Sequence, residues 1–165
     1  MGFSDAMVSS GTTVPLNNAQ FLSTATQTIS NASNPQVITY SSSSLTGTIT
    51  LGGTTKITLA DVGNYLLMFS AIAHCTSGSN KALYVWLRKN GSDVTASNTN
   101  LVTSAGVPAV MAASFVVSCV TPGDYYEFWM AGDTTNMQIL ATAASAGPPA
   151  YPAAPSIIVT INQIS

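Results

Sequence analysis

From residue 36 onward the chain reads as short extended segments broken by Gly, Pro and Asn, which is the pattern of strands joined by turns. "QVITY" (36–40) is rich in β-branched residues. In "LTGTITLGGTTKITLA", Ile49 and Leu51 lead into Gly52-Gly53, and Ile57 and Leu59 lead out, which predicts a hairpin. Further extended segments are predicted at 65–75, 82–88, 109–120, 125–131, 136–144 and 156–164. Asn90-Gly91 is a strong tight-turn signal, Pro122-Gly123-Asp124 marks another turn, and the Pro-rich stretch 145–155 excludes helix and central strand. Only "MAASF" and "ILATAASA" tolerate helix, and neither has capping residues at its flanks. Eight to ten evenly spaced strands without a 20–50-residue repeat predict an all-β antiparallel sandwich or jelly roll.

The first 35 residues are different: polar, with scattered apolar positions and no period. They are expected to be an extended arm (1–35) preceding a jelly-roll domain (36–165), with Phe21 and Leu22 as isolated anchors. Within the domain, three segments are apolar on both sides. Residues 65–73 place Tyr65, Leu67, Phe69, Ala71 and Ala73 on one face, and Leu66, Met68, Ser70 and Ile72 on the other. Residues 125–130 divide into Tyr125, Glu127, Trp129 and Tyr126, Phe128, Met130, and 157–161 repeat the pattern more weakly. A sandwich buries one face of each sheet, and a half-exposed strand alternates apolar with polar. The second apolar face is therefore expected to meet another subunit or lie under the arm.

Composition agrees with association. Charged residues are 6% of the 165, against a typical ~25%, while 46% are apolar. An obligate oligomer exposes less of each subunit to water than a monomer does. The net charge of −2, with only Lys56, Lys81, Arg88 and Lys89 basic, gives no basic face for nucleic acid. No stretch approaches the ~18 apolar residues of a membrane helix. "MGFSDAMVSSG" lacks the basic and apolar parts of a signal peptide, and Ala6 stands where a myristoylation signal needs Ser or Thr.

Residues that carry chemistry are few. His74 is the only histidine and ends an apolar segment, where a satisfied structural or interface role is expected. Glu127 sits inside an apolar strand and needs a polar partner from its own chain or a neighbour. Asp93 and Asp124 fit turn roles, Asp61 and Asp133 lie within two residues of a glycine, and there is no Gly-x-Ser-x-Gly elbow and no Asp-rich calcium loop. Cys75 and Cys119 form no metal-binding cluster; they read as two buried thiols or as a disulfide joining neighbouring strands. No enzyme, metal, cofactor or small-molecule substrate is expected. Tyr151, Tyr84 and Trp86 are candidates for sugar contact, although core packing would account for the last two.

Three fragments, in order, resemble a known fold. "GNYLLMFSAIAH" (63–74) resembles the Gly-x-Tyr-x-x-x-Phe strand of the C1q/TNF-like jelly roll. "GDYYEFW" (123–129) resembles its Gly-Asp strand, and "PSIIVTINQI" (155–164) occupies the place of its closing strand. With the "KNG" hairpin between the first two, the order resembles C1q-like modules of bacteriophage structural proteins. The resemblance covers roughly 55–165, and the arm before 36 has no counterpart in it. It implies a homotrimer whose axis is lined by these three strands, with Tyr65, Leu67, Phe69, Tyr126, Phe128, Ile157, Val159 and Ile161 at the interface. It also implies a virion location. The expected function is a capsid decoration or cement protein bridging major capsid subunits, with Phe3, Phe21 and Leu22 as capsid contacts. The alternative is a tail-fibre or spike head that binds a host glycan or protein. Arg88, Lys89, Asn90 and Gly91 are expected to form an exposed hairpin tip, its cations available to an acidic patch on a neighbouring subunit or capsid protein.

Overall fold

A computed structural model describes residues 17–165. Those residues form strands and turns without a helix. Two antiparallel sheets lie face to face. The first contains β1 (Asn18–Ser23), β4 (Ser42–Thr46), β7 (Gly63–Cys75), β11 (Ala109–Cys119) and β14 (Ile157–Gln163). Its order is β4-β1-β14-β7-β11, and the short β13 (Met137–Ile139) and β2 (Gln27–Thr28) continue it beyond the end of β14. The second sheet runs β10 (Thr99–Thr103), β8 (Lys81–Lys89), β12 (Asp124–Gly132), β6 (Lys56–Leu59), β5 (Thr50–Gly52). β3 (Gln36–Val37) pairs with β12, and β9 (Ser92–Asp93) with β8.

Two predicted hairpins are present. β5 pairs with β6 through Gly52↔Lys56, with Gly53 at φ +62° starting the turn. β8 turns into β9 through Asn90 and Gly91, at φ +50° and +83°. This two-residue turn with both φ positive matches the twist of the strands it joins.

The core lies between the sheets. Phe69 of the first sheet packs on Phe128 of the second with ring centroids 5.0 Å apart. Phe21, Tyr65, Leu67, Val159 and Ile161 meet Ile57, Leu59, Leu83, Val85, Leu87 and Met130 there, all fully enclosed. This corrects the extent of the arm. Residues 18–23 are a central strand of the first sheet, hydrogen-bonded to β14 on one side (Asn18↔Asn162 through Ser23↔Ile157) and to β4 on the other. Phe21 sits in the core and cannot be a capsid contact.

The cysteines are free and buried. Cys119 lies opposite Gly63 and Cys75 closes β7, so the two are separated by that strand's thirteen residues, about 40 Å at ~3.3 Å per residue. That rules out a disulfide within the chain. Among the described residues no His/Cys/Asp/Glu cluster could hold a metal, and no helix is long and apolar enough to cross a membrane.

Candidate assembly face

The expected interface residues point the other way. Tyr65, Leu67, Phe69, Ile157, Val159 and Ile161 on β7 and β14, and Tyr126 and Phe128 on β12, are all at most 3% exposed within the single chain. They hold the two sheets together and have no surface left for a partner. The three strands also do not share a sheet, since β7 pairs with β14 whereas β12 belongs to the opposite layer.

The second apolar face inferred from the sequence does exist, one residue out of phase. On the first sheet it consists of cross-strand rows set by register. Val116, Leu66, Asn162 and Asn18 form one row; Ser114, Met68, Thr160 and Gln20 the next; Ala112, Ser70, Ile158 and Leu22 the third; Val110 and Ile72 extend it. No member is charged. Val116 is 69% exposed and Val110 66%, and a hollow of about 370 Å³ opens beside Met68, Ala112 and Ser114. Leu22, expected as a capsid contact, lies half-buried on this face. His74 sits at its end, its Nδ1 2.9 Å from the Gln138 amide nitrogen, so the histidine is satisfied locally.

β11 adds a further feature. It is eleven residues long and pairs only with β7, which leaves its other edge open among the described residues. A long open edge beside an uncharged apolar face is what proteins normally cover or interrupt with charge, and here there is no charge.

The hairpin at 88–91 also differs from expectation. Asn90 and Gly91 are exposed, but the tip is docked on the turn before β12. The Asn90 amide donates to Asp124 Oδ1 (2.8 Å), and its oxygen accepts from the Tyr125 N–H (2.9 Å). Neither cation is free. Arg88 Nε pairs with Asp93 at 2.6 Å, and Lys89 Nζ with Asp124 at 2.8 Å. The Lys89 ammonium, the Asn90 amide and the Val120 N–H hold the Asp124 carboxyl well below the usual carboxylate range. Sequence reasoning gave both aspartates turn roles; each in addition neutralises a cation of the same chain. Glu127, buried in β12, accepts from the Thr55 hydroxyl at 3.0 Å. Nearby, burial and then the charge of Glu127 push the Tyr40 phenol up.

Comparison with solved structures settles the architecture. Murine APRIL at pH 5.0 superposes with a TM-score of 0.59 over 90% of this chain and 99% of that one, at 10% identity. The globular domain of a zebrafish complement 1qA protein superposes with 0.55 over 91% and 98%, at 17% identity. The chain has the C1q/TNF-like jelly-roll fold. At these identities the likeness speaks for fold alone. No protein-family model matches the sequence, and no curated protein matches it either. Within this chain the uncharged face lies on the sheet built from β4, β1, β14, β7 and β11, and the aromatic-rich side chains of β8 and β12 lie on the opposite outer surface.

Proposed function

We propose that this chain is a non-enzymatic structural protein that assembles as a homotrimer through the outer face of its first sheet and decorates a phage capsid, cementing neighbouring major capsid subunits. The observation that carries the assembly is the uncharged Val110/Val116/Leu66/Met68/Ile72 face next to the open edge of β11. Burying such a face removes apolar area from water at ~25 cal/mol per Å² without desolvating a single charge. The fragments at 63–74, 87–97, 123–129 and 155–164, which in this order resemble phage C1q-like modules, support the virion setting.

In this reading the action is passive. Three sandwiches clasp one another through their first sheets, and the trimer so formed straddles neighbouring capsid subunits; Phe3, expected as a capsid contact, lies outside the described residues. Three protomers held in one trimer bind more tightly than one because each raises the effective concentration of the others. Quantitative mass spectrometry of the purified particle tests the capsid assignment. Hundreds of copies per virion are expected, whereas a few trimers per virion would instead place the chain in a tail fibre or spike. The aromatic side chains of β8 and β12 on the outer surface of the second sheet favour that second reading, a head that touches a host glycan.

A further inference from the structure

Alternation along β8 and β12 sends Tyr84, Trp86, Tyr125 and Trp129 to the outer face of the second sheet. Two of these rings are covered by the chain's own cations. The Arg88 guanidinium lies 4.0 Å from the Trp129 ring centroid, and Lys56 Nζ 4.5 Å from that of Tyr125. Tyr84 and Trp86 carry no such cover among the described residues and instead line a hollow of about 370 Å³. That is within the usual size range of small-ligand sites.

The hollow is built rather than incidental. Tyr84 lies opposite Ala131, whose small side chain leaves space beside the phenol ring. Across from the rings, Val94, Ala96 and Asn98 form a wall. That wall is pinned to β8: the Leu87 N–H donates to Ser97 Oγ (3.0 Å), Ser97 Oγ donates to the Val94 carbonyl (2.7 Å), and the Val94 N–H to the Leu87 carbonyl (2.9 Å). Ala96 holds φ +61°, a conformation that costs an L-residue roughly 1–2 kcal/mol and persists where its surroundings enforce it. Both rings are held by their polar ends. The Trp86 indole N–H donates to Asp93 Oδ1 at 2.8 Å, and the Tyr84 hydroxyl lies 3.4 Å from Asp133 Oδ1. Asp93 Oδ1 receives both Trp86 and Arg88, so Oδ2, and the Asn98 amide, stay without a hydrogen bond among the described residues.

We propose that this hollow binds a neutral pyranose sugar, with the C–H face of the ring on Trp86 and Tyr84 and hydroxyls on Asp93 Oδ2 and the Asn98 amide. A saccharide offers both a hydrocarbon face and a rim of donors, which is what fixed rings flanked by an unused acceptor and an amide recognise. An apolar chain would bury Asp93 Oδ2 and Asn98 without partners, which costs free energy. An anion would meet the Asp93 carboxylate, whose charge Arg88 already balances, and a cation would meet Arg88 beside the site. The hollow lies on the sheet opposite the assembly face, so the inference holds whatever the oligomeric state.

Saturation-transfer NMR on the full chain tests it, with the methyl glycosides of glucose, galactose, mannose, fucose and N-acetylglucosamine at up to about 10 mM, enough to fill a ~1 mM site. At least one glycoside is expected to receive saturation on its ring protons. Its affinity should fall about tenfold or more in Trp86→Ala, the loss typical of an anchoring aromatic. It should fall several-fold in Asn98→Ala, which alters one exposed side chain and leaves the fold intact should Trp86→Ala not fold. Silence from every glycoside overturns the proposal. So does binding that is unchanged in Asn98→Ala, and so does a site that takes tetramethylammonium and no glycoside.

Discussion

Asp124 joins the 88–91 hairpin to the turn before β12, so replacing it by alanine should loosen the ribbon that carries Asp93 and the wall of the hollow. Its carboxylate is 8% exposed and accepts from Lys89 Nζ at 2.8 Å, Asn90 Nδ2 at 2.8 Å, the Val120 N–H at 2.9 Å and the Thr121 N–H at 3.3 Å. Hydrogen bonds to charged groups net ~1.5–3 kcal/mol each. The low end for the two shortest gives about 3 kcal/mol, since the backbone amides lie in an exposed turn where water replaces the lost acceptor. The sign of the pH effect follows from the depressed acidity of Asp124 in the folded chain. A carboxyl that titrates lower when folded stabilises fully above its unfolded value of ~3.9, and that contribution is lost as pH falls toward the folded value. At pH 3 the unfolded aspartate is mostly protonated while the folded one still holds its charge. The gap between wild type and Asp124→Ala should therefore shrink by about 1 kcal/mol relative to pH 7. Urea denaturation followed by tryptophan fluorescence at the two pH values measures this. Asp61 and Asp93, whose carboxyls are also depressed by hydrogen bonds, are present in both proteins and cancel in the difference. A cost below 1 kcal/mol at pH 7, or a gap that stays constant or widens at pH 3, would refute the reasoning.

Two further outcomes separate core from surface. Phe128→Ala removes a fully buried ring that touches Phe69 across the sheets, and should cost about 3–5 kcal/mol in denaturant titration; a loss under 1 kcal/mol would mean that the ring does not bridge the layers. Cys75 and Cys119 should react with Ellman's reagent only on unfolding and then yield two thiols per chain, whereas rapid reaction of the native protein would contradict their burial.

How far the sequence discloses this molecule depends on which interaction sets each feature. Turn chemistry is local, so Asn90-Gly91 and Gly52-Gly53 announce their hairpins. Strand alternation is local as well, and it reveals that 65–73 has two apolar faces. It does not reveal their phase, because Tyr65/Leu67/Phe69 and Leu66/Met68/Ile72 both qualify. The missing signal is volume. Sheets pack ~10 Å apart, and the bulkier set, with Tyr65, Phe69 and Phe128, fills that gap. β1 is obscured for a different reason. Its pattern of Ala19, Phe21 and Ser23 facing inward is short and mixed with polar residues, and its place is set by pairing with β14 some 140 residues later, beyond any local period. The ion pairs of Arg88 and Lys89 depend on the same kind of closure for Asp124, while Asp93, five residues from Arg88, lies within reach of a hairpin argument.

The assembly face is the central claim, and native mass tests it directly. Sedimentation equilibrium of the wild type should give three times the 16.9 kDa chain mass, and Val116→Lys, which places a charge on the most exposed of the large apolar residues of that face, should sediment as a folded monomer. A wild type that is monomeric at micromolar concentration, or a trimer left intact by lysine at both Val116 and Leu66, would contradict assembly through the outer face of the first sheet.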